Sequence, residues 1–421
     1  MKWFIFLAFM LALISCSDGE NPEFDNNLVD DSVNDADTGE ILNSYTYEKS
    51  STDLEKGIIK SSVACGENIY FSREYEGKAF ISKYTSLEMS WKIELSNSQS
   101  QSVNALSCGK NGNFFAAGDR TATENSNLVG FITEFDENGT ILIDFELNND
   151  VSVSIYSIFV DDSENIFICG RVDGSFEGTE SVGDKDGFIG KFSKTGEKIF
   201  LVQVGTKVFD SIQSVAVGSD NFVIAAGYTA GDLKTGDENP EKKITGFLVK
   251  LKADGELHWT KTTDLSHAWD IATDLDNFFF VAGSKEVDEK EVATVLRYDL
   301  GGTVKCRFSF PSKGDSIATD VAFDKNMDLY IAGYFTGEFE SGSAIDLDDT
   351  KEGTDIFLGI FNPLNAENLF SGIYGTESND INPRIAIDSS LNPHLLYNTV
   401  EELTSNDANA TLVTLKKQPI E

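Results

Sequence analysis

Almost continuously apolar runs recur along the chain, and most of them end in glycine. The clearest are NFFAAG (113–118), NIFICG (165–170), FVIAAG (222–227), FFFVAG (278–283) and DLYIAG (328–333). Weaker copies stand at NIYFSR (68–73) and PHLLYN (393–398). Short runs without polar alternation are typical of central strands buried on both faces. The terminal glycine indicates a positive φ or a close approach of another backbone.

A second type of run follows each of these, and in it apolar residues alternate with small or polar ones. Alternation of this kind predicts a half-buried strand. The chain has seven copies: KAFISKY (78–84), VGFITEF (129–135), DGFIGKF (186–192), TGFLVKL (245–251), VATVLRY (292–298), DIFLGIF (355–361) and NATLVTL (409–415).

Two further elements complete the repeat. A short strand and a polar turn come before the continuous run, as in YSIFVDD (156–162), QSVAVGS (213–219), WDIATDL (269–275), TDVAFDK (319–325) and RIAIDSS (384–390). After the alternating run, DENG (136–139), SKTG (193–196), KADG (252–255) and DLGG (299–302) predict hairpin turns with a left-handed glycine. The fourth strand then carries a bulky residue, and we interpret Trp91 and Trp259 at this position as packing residues between repeats.

One repeat is therefore four antiparallel strands in about 46–65 residues, which is the size of a propeller blade. We predict an all-β fold over residues 41–421, a seven-bladed β-propeller. The seventh copy ends after its third strand. Since a ring must not leave open edges, we expect residues 41–49 to supply the missing outer strand.

The repeat resembles that of the bacterial seven-bladed β-propeller repeat family, which reads roughly D-x-A-x-D-x-x-G-N-x-Y-x-x-G and then D-x-F-x-x-K. Copies three to six match best, as in DDSENIFICG (161–170) followed by DGFIGKF. The resemblance extends from about residue 58 to the C-terminus. It implies the fold and no conserved catalytic set.

The N-terminus predicts export. Residues 1–15, MKWFIFLAFMLALIS, have one early lysine and an apolar run too short to span a bilayer, as in a signal peptide. Leu13-Ile14-Ser15-Cys16 resembles the lipobox of bacterial lipoproteins, which implies that Cys16 is the lipid attachment site. Residues 16–40 follow as an acidic, disordered tether with nine Asp or Glu after the cysteine. The alternative is a plain secretory signal with a chance cysteine.

The net charge argues against one class of partner, and the cysteine spacing argues against a metal or redox motif. The formal charge of −37 argues against nucleic acid as a partner, because affinity for a polyanion comes from cationic contacts. Cys65, Cys108, Cys169 and Cys306 form no metal or redox motif, and four cysteines allow three pairings. Cys65 and Cys108 occupy equivalent repeat positions. We interpret the four as small buried residues in strands.

No familiar catalytic motif occurs, and His258, His267 and His394 are far apart in the repeat. We predict no cofactor and no catalytic or metal site. One alternative is calcium, because Asp324-x-Asn326-x-Asp328 and Asp161-x-Ser163-x-Asn165 place oxygen ligands at alternate positions. Turn formation explains the same residues.

The sequence thus predicts a lipid-anchored propeller of the bacterial cell envelope, on the periplasmic or surface face of the outer membrane. We expect a monomeric binding or scaffold module for a protein or glycan partner. The alternatives are a propeller hydrolase or lyase acting on a polymer, and an accessory subunit in envelope assembly. We expect any partner site in the connections 171–186, 228–245 and 334–355 or at the central opening.

Overall fold

A computed structural model describes residues 13–16, 45–95, 100–121, 127–147, 150–176, 178–179, 182–239, 241, 243–338, 345–346, 353–364, 366–376, 378–401 and 408–419. These residues contain thirty strands and no helix. In particular, the described residues contain no helix long and apolar enough to cross a membrane.

Seven antiparallel four-stranded sheets are arranged in a ring, as predicted, and each is one blade. Two strands precede blade 1: β1 (Leu13–Cys16) and β2 (Tyr45–Leu54). Blade 1 contains β3 (Ile58–Cys65), β4 (Asn68–Tyr75), β5 (Lys78–Thr85) and β6 (Glu88–Leu95). Blade 2 contains β7 (Ser100–Cys108), β8 (Phe114–Thr121), β9 (Val129–Phe135) and β10 (Ile141–Leu147). Blade 3 contains β11 (Ser152–Val160), β12 (Ile166–Asp173), β13 (Asp186–Phe192) and β14 (Lys198–Val204).

The remaining blades repeat this order. Blade 4 contains β15 (Asp210–Val217), β16 (Val223–Thr229), β17 (Thr245–Leu251) and β18 (Leu257–Thr262). Blade 5 contains β19 (His267–Thr273), β20 (Phe279–Val287), β21 (Lys290–Tyr298) and β22 (Val304–Phe310). Blade 6 contains β23 (Ser316–Phe323), β24 (Leu329–Thr336), β26 (Thr354–Phe361) and β27 (Asn368–Tyr374), with the short parallel strand β25 (Ile345–Asp346) on β27. Blade 7 contains β28 (Asn379–Ile387), β29 (Pro393–Val400) and β30 (Asn409–Pro419).

The fourth strand of blade 7 is β2, so the two ends of the domain meet in one sheet. Its register with β30 runs without interruption from Tyr45 opposite Pro419 to Leu54 opposite Ala410. Tyr47 of β2 also packs on Phe370 of blade 6, with 4.8 Å between ring centroids. This confirms the predicted closure of the ring by an N-terminal strand, with the strand lying at Tyr45–Leu54.

The hydrophobic core lies between neighbouring blades, where the predicted central strands are buried on both faces. Trp91 shows how adjacent blades join. Its ring stacks 6.2 Å from Phe114 of blade 2, and its Nε1 donates to the carbonyl oxygen of Glu137. Trp259 contacts Phe279 of blade 5 at 6.4 Å. The predicted packing role of both tryptophans is confirmed.

The four cysteines of the propeller behave differently from one another. Cys65 and Cys108 form a disulfide between blades 1 and 2, with 5.6 Å between their Cα atoms. The interpretation of these two as buried, unpaired residues was wrong, because their equivalent repeat positions lie side by side on adjacent inner strands. Cys169 is a free, buried thiol, and Cys306 is also buried.

The predicted signal peptide and tether lie almost entirely outside the described residues. Within them, the backbone of β1 pairs antiparallel with β22 on the outer edge of blade 5, with Cys16 opposite Cys306. Leu13 to Ser15 belong to the segment that signal cleavage would remove, so this pairing describes the uncleaved chain. Lipidation of Cys16 stays a prediction.

Candidate functional site

A β-bulge interrupts the first strand of every blade at the same place. In blade 4, Ile212 pairs with Gly227 and Ser214 with Ala226, so Gln213 has no partner in the ladder. An extra residue of this kind bends the strand and redirects its side chain. The unpaired residues are Lys60, Asn104, Tyr156, Gln213, Trp269, Thr319 and Asn382, the last together with Pro383.

The repeated glycine of the second strand makes room for the bulged first strand, which lies close to it. Gly227 does not have a positive φ. A Cβ on it would instead overlap with the carbonyl oxygen of Ser211 on the bulged first strand. The same conflict with a first-strand carbonyl holds at four other blades, at Gly118, Gly170, Gly283 and Gly333. Of the two predicted roles, close backbone approach is the observed one.

All seven bulge residues line one cavity of about 420 Å³ in the centre of the ring. No two neighbouring blades place the same residue type there, although the strands that carry these residues are alike. The bulge side chains that contribute rings come from blades 3 and 5, and Tyr334 of blade 6 adds a third aromatic ring to the lining. Blades 7, 1 and 2 contribute Asn382, Lys60 and Asn104.

The residue directly after each bulge has a structural task in six of the seven blades. Its side chain reaches the next blade through a hydrogen bond. Ser61 Oγ accepts from the Leu106 N–H at 3.1 Å, and Ser157 Oγ accepts from the Val215 N–H at 3.4 Å. In blade 2, where this residue is Ala105, the bulge residue Asn104 donates to the Ile155 carbonyl oxygen at 2.9 Å instead.

Charged groups continue this ring of hydrogen bonds through blades 5 to 7. Asp270 accepts from Ser214 Oγ at 2.7 Å and from the Val321 N–H at 2.9 Å. Asp320 accepts from the Ile385 N–H at 2.9 Å, and Arg384 Nε donates to the Lys60 carbonyl oxygen at 3.0 Å. The chain of contacts therefore runs once around the channel and closes on blade 1.

Asp270 lies close enough to Asp320 to influence the ionisation of Asp320. Burial, and next the charge of Asp270, raise the pKa of Asp320 well above its usual range, although the nearby Arg384 acts in the opposite direction. Asp320 therefore holds a proton more tightly than an ordinary aspartate. Arg384 also faces the Thr319 carbonyl oxygen, which fixes it across three blades.

An aromatic cluster supports Trp269 at one side of the channel. The His267 ring stacks parallel to the indole at 5.2 Å, and Tyr228 meets it edge-on at 5.5 Å. Phe209 stacks behind Tyr228 at 5.9 Å. Burial lowers the pKa of His267, which favours the neutral ring. The indole Nε1 is buried and has no hydrogen-bond partner in the protein.

Polar pairs within single blades hold the opposite side of the channel. Lys60 forms an ion pair with Glu74 at 3.2 Å, and Asn104 donates to Asp119 at 3.0 Å. Burial raises the pKa of Asp119, against the lowering effect of its bonds from Asn104 and Ser154.

The two segments with calcium-like spacing form turns. Asp324 Oδ1 accepts from the N–H groups of Asn326 and Asp328, both at 2.9 Å, and its Oδ2 accepts from Tyr330 Oη at 3.2 Å. Asp161 caps its turn through Ser163 and Asn165 in the same way. Among the described residues, no group of three or more His, Cys, Asp or Glu side chains is arranged to hold a metal.

The structure keeps the three histidines on separate strands, β18, β19 and β29. His258 is exposed, while His394 is buried and bonded to Asp388 at 3.1 Å and to Thr414 at 2.8 Å. Only His267 lies near the channel, where it supports Trp269. The polar set at the axis did not emerge from the sequence, because each blade contributes only one to three polar residues to it and their direction depends on the bulge.

Comparisons with known proteins agree with the architecture. No protein-family model matches the chain, and no curated protein matches it. The WD40 domain of Toxoplasma gondii coronin is similar in structure, with a TM-score of 0.52 and 10% identity over 87% of this chain and 86% of that chain. The β-propeller domain of the Trilobed protease from Pyrococcus furiosus has a TM-score of 0.50 and 12% identity over 87% and 96%, respectively.

The protease propeller is described as having an open velcro topology, whereas here β2 and β30 pair along their whole length. Identities this low establish the fold alone. The resemblance of the repeat to the bacterial family stays a prediction. On the evidence of its seven sheets and of these solved structures, the chain is a seven-bladed β-propeller.

Proposed function

We propose that this protein is a binding module whose ligand site is the central channel, and that it is carried outside the cytoplasm on a lipid anchor at Cys16. One observation carries the first part. Seven equivalent bulges place seven residues of six types in the lining of one cavity. Concave sites with a few convergent polar groups and aromatic walls are where small ligands bind.

The division of tasks between adjacent residues supports this proposal. The residue after the bulge joins the blades, whereas the bulge residue mainly faces the cavity. Gln213 illustrates the difference, because its amide donates to Ser211 Oγ of its own blade, at 2.6 Å. Its neighbour Ser214 makes the inter-blade contact with Asp270. Channel chemistry can therefore vary while the ring remains closed.

The Cys65–Cys108 disulfide supports a location outside the cytoplasm. Disulfides persist in oxidising compartments and are rare where thioredoxin and glutathione keep thiols reduced. The signal-like N-terminus and the acidic segment after Cys16 agree with that location. We place the protein in the bacterial envelope as a monomer, facing the periplasm or the cell surface. A protein or a glycan remains the expected partner.

A thermal-shift screen of full-length protein tests the channel. A ligand that binds only the native state raises the melting temperature by mass action. We expect at least one class among sugars, peptides and nucleotides to stabilise the wild type but not Trp269→Ala or Gln213→Ala. Trp91→Ala, which changes an outer strand, is the control. Equal shifts in all four proteins would place the site elsewhere.

Membrane attachment has its own test. Cys16→Ala should move the protein from the membrane fraction to the soluble fraction of the envelope, because several acyl chains are needed for stable anchoring. A variant that stays with the membrane would refute lipidation at Cys16 and leave the channel proposal intact.

The carboxyl pair favours one second candidate, a hydrolase or lyase acting in the same channel. Asp320 lies with Asp270 in the cavity, and its raised pKa suits it to donate a proton, as the acid of a carboxyl pair does. Their bonds to Val321 and Ile385 give both a structural role as well. Turnover of a polymer fragment by the purified protein, abolished in Asp270→Asn, would establish the enzyme.

A further inference from the structure

The charged side chains of the channel lining already have partners in the protein. Lys60 pairs with Glu74, and Arg384 donates to the Lys60 carbonyl oxygen. Asp270 and Asp320 accept hydrogen bonds from neighbouring blades. A charged ligand would have to compete with these contacts. The lining is therefore suited to a ligand without charge.

Uncharged polar groups dominate the lining. Five serine or threonine residues and three amide residues line the cavity, and side chains of both kinds can donate and accept hydrogen bonds. Among them, Ser62 Oγ is buried and has no hydrogen-bond partner in the protein. A buried polar group without a partner costs free energy until a ligand or water supplies one.

Three aromatic rings complete the wall: Tyr156, Trp269 and Tyr334. Trp269 is fixed by His267 and Tyr228, so its indole presents a rigid apolar surface with little entropy to lose. Its Nε1 is the second buried donor without a partner in the protein. Apolar rings beside groups that both donate and accept are complementary to pyranose rings, which combine C–H faces with hydroxyl edges.

We propose that the channel binds a short neutral oligosaccharide, with one sugar ring stacked on Trp269 and its hydroxyls bonded to Gln213. This inference rests on the proposed binding function and adds the ligand class. The volume of about 420 Å³ lies within the range of small-ligand sites. The lining has eight serine, threonine and amide residues and only three aromatic rings. This excess of polar side chains favours a sugar over a flat aromatic ligand.

Calorimetric titration of the full-length protein in detergent tests the ligand class. The neutral probes are maltotriose, cellotriose and N-acetylchitotriose, and the competing probes are trigalacturonic acid and adenosine. We expect saturable 1:1 binding of at least one neutral trisaccharide and none of the competing probes. Binding should fall at least tenfold in Trp269→Ala, which is about 1.4 kcal/mol, and several-fold in Gln213→Ala.

Two further variants keep the test decisive. Trp269→Phe retains a stacking ring and should bind more tightly than Trp269→Ala, and it replaces that variant if the alanine protein fails to fold. Trp91→Ala should bind like the wild type.

The outcomes separate the two proposals. If trigalacturonic acid or adenosine binds in a Trp269-dependent way and the neutral sugars do not, the ligand class is wrong and the channel function stands. If no probe binds, the saccharide proposal falls, while the thermal-shift screen still decides the channel function. If the neutral sugars bind Trp269→Ala and Gln213→Ala as tightly as they bind the wild type, both proposals fail.

Discussion

Blades 2 to 6 have a glycine in the second strand opposite the residue before the bulge, whereas blades 1 and 7, which lie beside the seam of the ring, have Arg73 and Asn398 at that position. In blades 2 to 6 the glycine has no side chain, so the bulged first strand can lie close to the backbone of the second strand. At the seam, both side chains bond the segment that leads from β2 into β3. Arg73 contacts Lys56 and Glu55, and Asn398 contacts Gly57 and Ile59.

The comparison shows that the repeat gives way where the chain must join its own ends. In the other six blades the four main strands follow one another along the chain, whereas the outer strand of blade 7, β2, comes from the opposite end of the domain. The Asn398 bonds therefore join residues that are 339 and 341 positions apart in sequence, and they hold β29 to the segment that leads from β2 into β3. These side-chain hydrogen bonds add a restraint in the one blade whose strands are not continuous in sequence.

The largest effect is expected from removing β2, the strand that closes the ring. Deletion of residues 45–54 exposes the edge of β30 and should cost about 5 kcal/mol or more, comparable with the net stability of a typical domain. Thermal melting followed by circular dichroism measures the loss. Deletion of residues 17–40, the predicted tether, serves as the control and should leave the melt unchanged. Equal melts for both deletions would show that β2 does not stabilise the ring.

Asn398→Ala probes the side-chain part of the seam. Asn398 is fully buried, donates to the Gly57 carbonyl oxygen and accepts from the Ile59 N–H, both at 2.9 Å. Its loss leaves two buried backbone groups unpaired, so we expect a destabilisation of about 2–3 kcal/mol in urea unfolding. Asn165→Ala, in a half-buried turn of blade 3, should cost less. A result below 1 kcal/mol for Asn398→Ala would contradict the assigned role.

Gly227→Ala tests the regular blades in turn. The added methyl group conflicts with the Ser211 carbonyl oxygen, which is backbone and cannot rotate away. Overpacking of this kind costs about 1–3 kcal/mol. Gly301→Ala is the matched control, because Gly301 has no positive φ and its nearest neighbour is a flexible Asp299 side chain. The explanation of the repeated glycine fails if both variants have the same unfolding free energy.

The smallest expected effect concerns Asp320, which joins blade 6 to blade 7. Its folded pKa is raised, so the native state holds the proton more tightly than the unfolded chain. The stability from that proton is present at low pH and is lost as the pH rises from about 4 through the folded pKa. Asn resembles the protonated form. Asp320→Asn should therefore exceed the wild type in stability by on the order of 1 kcal/mol at pH 8.

The pH profile provides the control for this variant. The gain should shrink towards pH 4, where the wild-type carboxyl is itself protonated. A difference between the two proteins that is constant from pH 4 to pH 8, or a less stable variant at pH 8, would show that Asp320 is ionised in the native ring.

Much of the fold could be read from local patterns because each blade uses the same local rules. Turn glycines were predicted and observed, with φ between 73° and 89° at Gly139, Gly196, Gly255 and Gly302. The first strands were predicted too short. The recognised motif in blades 3 to 5 begins at the bulge residue, at Tyr156, Gln213 and Trp269, while the strands begin four, three and two residues earlier, respectively. The bulge shifts the alternation of apolar and polar residues by one position. The first half of each of these strands therefore does not continue the pattern of the second half.

The sequence alone determined the number of blades, the order of strands and the closing partner of β30, because alternation, turn glycines and a missing fourth strand are local properties. Only the tertiary structure decided which side chains meet at the axis and which cysteines pair. Trp269, Gln213 and Lys60 are far apart in the chain and become neighbours through seven bulges and a closed ring. Cys65 and Cys108 pair because blade 1 packs on blade 2 and sets equivalent positions of β3 and β7 side by side. Such distances depend on register and curvature, which no single repeat contains.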